Sequence, residues 1–409
     1  MRIECIAIGT ELLTTRRVDT NSVWLGERLA GLGLAFHRKS AVGDHREDLA
    51  ELFREALQRS DLILTTGGLG PTFDDFTKEL FAEILGAELV EDAASRADMV
   101  AFYAARNRIP PQVNFKQALI PVGAEPLRNP VGTAPGVWWQ DPTGHPGVRI
   151  VMLPGVPREM KRMWEAQVEP RLQALAGKAV HTLRMVVCGV PESNLDERTR
   201  EVRERHGHLD WTILANLTQV ELLARGPEPA ALEAAQRDFE PVLGADLACV
   251  GESNLEDAVL AQIQARGETL AVAESMTGGL LASRLTAIPG ASQAFLGGAT
   301  VYSVAAKAAL LGLEPAWLNE VGTVSEACAR AMAEAVRQRL QATWALAVCG
   351  NAGPGAEGGA PVGAVFVALA GPDGTTVRTP VLAGDRVELQ LRSTAVALDL
   401  LRRALAATR

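Results

Sequence analysis

The run Ala273-Glu274-Ser275-Met276-Thr277-Gly278-Gly279 places a hydroxyl between an apolar strand, Thr269–Ala273, and a helix beginning near Gly279. A serine at such an elbow stands in the open while nearby backbone N–H groups face an incoming oxygen. Acyl transfer requires this of a nucleophile and its oxyanion site. A free hydroxyl is almost wholly protonated at neutral pH, so Ser275 needs a base. No histidine follows Gly251, and Lys307 is the only lysine of that section. A lysine serves when partial burial leaves its amine neutral, so elimination pairs Ser275 with Lys307. Each feature also has a plainer account. The Ser-x-Thr-Gly-Gly stretch reads as an N-cap and tight turn, Lys307 as a solvated helix residue, and Asn351–Gly359 as a flexible loop.

A second constellation lies in Thr66-Gly67-Gly68-Leu69-Gly70-Pro71-Thr72-Phe73-Asp74-Asp75-Phe76-Thr77, after a strand and at the opening of a helix. Glycines permit close backbone approach, and a helix N-terminus attracts phosphate oxygens. Adjacent carboxylates oppose an anion unless a divalent cation lies between them, the setting in which Mg²⁺ or Mn²⁺ is held. Asp44, and Asp19 with Asn21, follow other strands and converge on the same sheet edge if the sheet is parallel. The plainer alternative is a glycine turn with Asp74 or Asp75 capping a helix.

The elements that must position these residues alternate along the chain. Extended runs at 2–9, 34–41 and 61–66 are separated by helical stretches at 21–32, after Asp44, and at 76–85, where apolar residues recur at helical spacing. That order implies right-handed crossovers and a parallel sheet with ligands at strand C-terminal ends. Extended segments at 118–121, 137–140 and 148–153 continue it, and a helix over 157–175 closes it. Residues near 178–248 read as a small α+β module. A capping-box pattern at Ser253–Glu256 opens a last α/β section, with strands at 269–273, 299–302, 344–348 and 363–369 and helices at 326–340 and through Leu405. The fold class is α/β: two three-layer domains with mostly parallel sheets, 1–176 and 252–409, joined by an α+β module over 177–251.

The 409 residues carry a formal net charge of −9, with 47% hydrophobic and 22% charged residues. Such a surface argues against a general nucleic-acid or membrane binder. Five scattered cysteines without a C-x-x-C pair read as buried thiols in a reducing compartment. No signal peptide and no apolar run of ~20 residues is visible, so a cytoplasmic location is expected.

The C-terminal residues resemble the C-terminal domain of the CinA family (competence/damage-inducible protein A). The matching pieces are Ala273–Gly279, Leu285–Ser292, Tyr302–Lys307, Gly322–Glu326, Gly350–Pro354 and Pro361–Gly363, in the family's order across Leu255–Arg409. The resemblance implies deamidation of nicotinamide mononucleotide to the nicotinate form plus ammonia. Ser275 would be nucleophile and Lys307 base, with no cofactor. Thr277 and Gly278 would form the oxyanion and substrate site, with Tyr302, Gly350 and Asn351 around the substrate. Val304 replaces the usual Asn, Cys349 the usual Thr, and Asn351 an apolar residue, from which a working but slower deamidase is expected.

Residues 2–170 resemble the molybdopterin-binding fold in its CinA-family version, through Gly9–Leu13, Asp19–Asn21, Val42–Asp44, Thr66–Thr77, Asn129–Gly136 and Leu153–Met160. This resemblance implies hydrolysis of ADP-ribose to AMP and ribose 5-phosphate with Mg²⁺, Mn²⁺ or Co²⁺, and K⁺ as a further ion. Asp75 and Asp44 would be catalytic or metal carboxylates, with Asp74 beside them. Gly67, Gly68, Gly70 and Thr72 would cradle phosphate, and Asp19 and Asn21 would contact substrate. Thr14-Thr15-Arg16-Arg17 departs from the family's glycine after the Leu pair and is expected to stiffen that loop. The middle module resembles the family's KH-like insert. It lacks a Gly-x-x-Gly loop flanked by bases, and its acids outnumber its bases, which argues against RNA. A homodimer is the resemblance-based expectation. Two alternatives stay open: nucleotide or pterin binding without turnover, supporting competence or DNA repair through partners, and nucleotidyl transfer to a pterin.

Overall fold

The computed structural model describes residues 1–176, 180–355 and 360–407. The expected boundary at 176/177 abuts residues outside that set, and so does the 356–359 part of the glycine-rich loop. The chain divides into two compact units, Met1–His181 and Thr182–Arg409.

In the first unit, β1 (Ile3–Ile8), β2 (Phe36–Val42), β3 (Leu62–Thr66), β6 (Ala124–Leu127), β7 (Gly136–Gln140) and β8 (Arg149–Leu153) form a six-stranded sheet in the order β2-β1-β3-β8-β7-β6. The β2, β1, β3 and β8 neighbours are parallel, and β7 runs against both its partners. A separate two-stranded ladder joins β4 (Leu89–Glu91) to β5 (Leu119–Pro121). The alternation of β3 explains the three layers. Ile63 packs with Leu49, Phe53 and Phe81 of the helices Arg46–Arg59 and Thr77–Ile84, while Leu62 and Leu64 pack with Leu25, Leu29, Met160 and Trp164 on the opposite face. Burial on both faces is the reason these strands read as continuous apolar runs. The helix expected over 157–175 is observed as Pro157–Met163 and Glu169–Ala176 with a π-helical turn, Trp164–Val168, between them. The helix Ala93–Ala104 went unread, although Asp92 caps it by accepting the Ser95 N–H at 2.7 Å.

The second unit holds two sheets. Strands β9 (His181–Val187), β10 (Asp210–Ala215), β11 (Val220–Gly226) and β12 (Leu247–Val250) lie in the order β10-β11-β9-β12, with helices Glu192–Arg205 and Pro229–Leu243. Strands β13 (Leu270–Glu274), β14 (Phe295–Thr300), β15 (Trp344–Gly350), β16 (Val365–Gly371) and β17 (Gly374–Arg378) lie in the order β14-β13-β15-β16-β17. β14 and β15 flank β13 in parallel, and β16 and β17 extend the sheet antiparallel. One face sets Val272, Leu346 and Val348 against Leu398 and Leu401 of the C-terminal helix Arg386–Ala407. The other face is alanine-rich, Ala271, Ala273, Ala345 and Ala347, which lets Met332 and Val336 of the helix Glu326–Leu340 approach closely. The strand expected at 299–302 lies earlier, because Phe-Leu-Gly-Gly at its start reads as a turn. The strand β17 was missed behind the Gly371-Pro372-Asp373-Gly374 hairpin turn, whose residue types announce it. Among the described residues, no helix is long and apolar enough to cross a membrane.

Beneath the glycine loop of the first unit, Lys78 is 3% exposed and donates to the Gln117 carbonyl at 2.5 Å. Burial pushes its pKa down from 10.5 to about 8. The folded chain therefore binds this proton less tightly than the unfolded chain, and the resulting stability deficit is relieved as pH rises from about 8 to 10.5. Urea unfolding followed from pH 8 to pH 10 should show a relative gain on the order of 2 kcal/mol in the parent over Lys78→Met; parallel profiles would show that the burial carries no such term.

Candidate active site

In the second unit the carboxyl ends of three parallel strands meet. β13 ends at Glu274, in register with Thr300 of β14 and Val348 of β15. Ser275 follows directly and is fixed by its N–H, which donates to the Val348 carbonyl at 2.9 Å. Val301 follows β14, Ser303 caps the helix Val304–Leu311 by accepting the Ala306 N–H at 3.1 Å, and Lys307 turns back from that helix. Its Nζ donates to Ser275 Oγ at 3.2 Å and to the Val301 carbonyl at 2.9 Å. Lys307 is 1% exposed, and among the described residues no carboxylate pairs with it. The hydroxyl and amine that elimination paired are therefore in contact.

The loop between Ser275 and the helix Leu280–Thr286 is held by a residue that sequence reasoning gave no role. Glu274 is buried, and its carboxylate accepts the N–H groups of Gly279 at 3.1 Å, Leu281 at 2.9 Å and Ala282 at 2.8 Å. These include otherwise orphaned donors of a helix N-terminus, where a negative charge is also favoured. Gly278, expected at the oxyanion site, donates its N–H to the Ser275 carbonyl at 3.1 Å and closes the turn. The N–H groups of Met276 and Thr277 carry no hydrogen bond among the described residues, and the buried Thr277 hydroxyl has no partner. Those three donors lie within two residues of Ser275 in the chain.

Tyr302 is 60% exposed, and its hydroxyl accepts from Arg386 Nη2 at 2.6 Å; Arg386 Nη1 donates to the Gly353 carbonyl at 2.8 Å. Arg386 sits 84 residues beyond Tyr302, and no local pattern marks it. Gly350 ends β15. Asn351, expected at the substrate, has both amide donors engaged by the carbonyls of Gly355 and Ala360, at 2.8 and 3.0 Å, and its Oδ1 accepts the Gly353 N–H at 2.8 Å. It shapes its own loop. Cys349 is fully buried; its thiol donates to the Ser325 carbonyl at 3.5 Å, and the neighbouring Cys328 thiol, then burial, push its pKa well up.

In the first unit a cavity of about 850 Å³ opens at the corresponding strand ends. It is lined by Asp19, Asn21, Asp44, Gly67, Gly68, Gly70, Thr72, Asp74 and Asp75, the whole expected set. Gly68 has φ +66°, and a Cβ on it would lie 1.9 Å from Thr77 Oγ1, so only glycine fits. The N–H groups of Gly68, Leu69 and Gly70 carry no hydrogen bond among the described residues, whereas Gly67, expected to cradle phosphate, has its N–H engaged by the Leu153 carbonyl at 3.0 Å. Thr72 donates its N–H to Asp75 Oδ2 at 3.0 Å, and its hydroxyl lies between the carboxylates of Asp74 and Asp75. Lys116 pins this loop by donating to the carbonyls of Thr72 and Asp75, a role invisible in the sequence.

The other acids have backbone duties. Asp44 accepts the Thr10 N–H at 2.7 Å while its own N–H donates to Thr10 Oγ1 at 3.0 Å. Asp19 caps the helix Thr20–Gly31 by accepting the Ser22 N–H at 2.9 Å. Asn21 donates to the Gly155 carbonyl at 2.8 Å, and its buried Oδ1 has no partner. Asp44, Asp74 and Asp75 share the cavity wall, yet among the described residues no three acidic, His or Cys groups gather as a metal cluster. Thr72 draws Asp74 and Asp75 together, while the Thr10 loop fixes Asp44 separately. Thr14 and Thr15 bond back to the carbonyls of Thr10 and Glu11 at 2.8 and 2.7 Å, tying down the loop that carries Arg16 and Arg17 into the cavity lining.

A cavity with a glycine loop of unpaired amides on one unit and a serine–lysine pair in the other define a two-site α/β protein. Residues 4–174 match the family model of a probable molybdopterin binding domain, and residues 252–405 that of the CinA C-terminal domain. A CinA-like protein of Acidobacterium capsulatum is 40% identical over 416 residues, covering 99% of this chain and 100% of that protein. Another, from Prochlorococcus marinus, is 42% identical over 418 residues, covering 98% and 96%. A crystal structure of the protein CinA, of unknown function, from Thermoplasma acidophilum is 38% identical, covers 41% of this chain and 96% of that chain, and has a TM-score of 0.37. The chain belongs to the CinA family.

Replacing Glu274 by Gln puts an NH₂ group against at least one of three backbone N–H donors. The Gln variant should unfold at lower urea, with a loss of ~1–3 kcal/mol; an unchanged midpoint would show that the carboxylate does not hold the loop.

Proposed function

We propose that the chain is a bifunctional hydrolase of pyridine-nucleotide recycling: a nicotinamide mononucleotide deamidase in the C-terminal section and an ADP-ribose pyrophosphatase in the N-terminal unit. The 3.2 Å contact between the buried Lys307 nitrogen and the Ser275 hydroxyl carries the first activity. Lys307, in its amine form, takes the hydroxyl proton as Ser275 Oγ attacks the carboxamide carbon. The N–H groups of Met276 and Thr277 and the Thr277 hydroxyl receive the oxyanion. The C–N bond breaks as Lys307 returns the proton to nitrogen, ammonia leaves, and water cleaves the Ser275 ester to the carboxylate by the same proton route. Arg386, which donates to Tyr302 and the Gly353 carbonyl, is a cation suited to the substrate phosphate.

In the N-terminal cavity the unpaired N–H groups of Gly68, Leu69 and Gly70 suit diphosphate oxygens. Asp74 and Asp75, gathered by Thr72, would hold a hard divalent cation such as Mg²⁺. Such a cation, when bound, supplies neutralisation of the diphosphate charge. The chain itself orients the phosphates through the N–H groups of Gly68, Leu69 and Gly70. Hydrolysis adds water across the phosphorus–oxygen–phosphorus link and yields two monophosphates.

Two assays on one preparation separate the activities. Ser275→Ala and Lys307→Met should each lower ammonia release by on the order of 10³-fold or more while AMP production from ADP-ribose stays intact; Asp75→Ala should do the reverse. Normal ammonia release from Ser275→Ala removes the mechanism, and none from the parent chain points to binding without turnover.

A further inference from the structure

Two motifs noted in the sequence, Asn129–Gly136 and Leu153–Met160, take no part in the chemistry above, yet they meet on one wall of the N-terminal cavity. Glu159, in the helix Pro157–Met163, lines that cavity beside Thr133 and Ala134. Its Oε2 accepts from Asn129 Nδ2 at 2.6 Å, and the same nitrogen donates to the Ala134 carbonyl at 2.9 Å. Asn129 Oδ1 accepts the Val131 N–H at 3.2 Å, so this buried amide is fixed at both ends and aims one N–H at the carboxyl. A Cβ on Gly132 would lie 2.2 Å from the Glu159 carboxyl carbon; glycine there lets the loop close on it.

Glu159 differs from every other acid of the cavity. Asp19, Asp44 and Asp75 accept backbone N–H groups, Asp74 accepts the Thr72 hydroxyl, and Glu11 lies 3.8 Å from Arg17. Glu159 has a side-chain amide alone, no cation pairs with it, and its Oε1 carries no hydrogen bond among the described residues. Burial raises its pKa, with the Asn129 bond opposing. An acceptor in this position repels phosphate oxygens, which are themselves acceptors, and it belongs to no metal cluster. Hydroxyl donors satisfy it, as an acidic residue satisfies ribose hydroxyls in dinucleotide sites.

We infer that Glu159, oriented by Asn129, accepts hydrogen bonds from sugar hydroxyls of the ligand in this cavity and so selects ribosyl-bearing diphosphates over bare ones. Glu159 is the binding residue and Asn129 the positioning residue. The inference rests on the cavity's being a nucleotide–sugar diphosphate site.

Calorimetric titration of the full chain with Mg²⁺ tests it, using methylene-bridged ADP-ribose and the sugar-free methylenediphosphonate, so that turnover does not interfere. Glu159→Met should weaken the ADP-ribose analogue by ~10-fold or more and leave methylenediphosphonate unchanged. Glu159→Gln, which keeps the shape, should lose less, and matching thermal midpoints confirm folding. Equal losses for both ligands, or no loss for either, overturn the assignment while leaving the cavity's role intact. A parent chain that binds neither ligand overturns the cavity reading and the assignment with it.

Discussion

The Lys307 nitrogen lies 3.2 Å from the Ser275 hydroxyl at a position closed to water, and the C-terminal section is arranged so that it stays there. Three parallel strands must end level for the two side chains to meet, which the pairing of Glu274 with Thr300 and Val348 ensures. The alanine face of the sheet then allows the helix Glu326–Leu340 close against β13 and β15. A buried amine whose contacts are the Val301 carbonyl and a hydroxyl has no reason to be there for stability alone, because burying an ionisable group without a counter-charge is costly.

Both units solve the same problem with different atoms. A ligand needs free backbone donors, and those donors must not collapse onto the protein. In the C-terminal section the Glu274 carboxylate takes the N–H groups of Gly279, Leu281 and Ala282, leaving those of Met276 and Thr277 open. In the N-terminal unit Lys116 pins the carbonyls of Thr72 and Asp75, and the N–H groups of residues 68–70, which line the cavity, carry no hydrogen bond among the described residues. Each loop is thus held by one charged side chain, Glu274 in the one and Lys116 in the other.

The serine–lysine pair was legible because composition left a single lysine to choose from, and the glycine loop because its residue types have few other uses. Elements with strong periodicity, such as Glu326–Leu340, coincide with their expected bounds. What stayed hidden depends on the third dimension. Lys116, Arg386 and the Asn129–Glu159 contact join residues far apart in the chain, and no local pattern encodes such a meeting. Gly67, Gly278 and Asn351 sit in the expected motifs but have their polar groups engaged by the backbone, a distinction of hydrogen-bond partner that residue type cannot reveal.

The covalent intermediate is the most direct test. The full chain is incubated with nicotinamide mononucleotide, quenched in acid during turnover, digested and mapped by mass spectrometry. An acyl adduct of the nucleotide on the peptide carrying Ser275, assigned to that residue, is the result this structure predicts. Sustained ammonia release with Ser275 unmodified, or with the adduct on Cys349 instead, would contradict it.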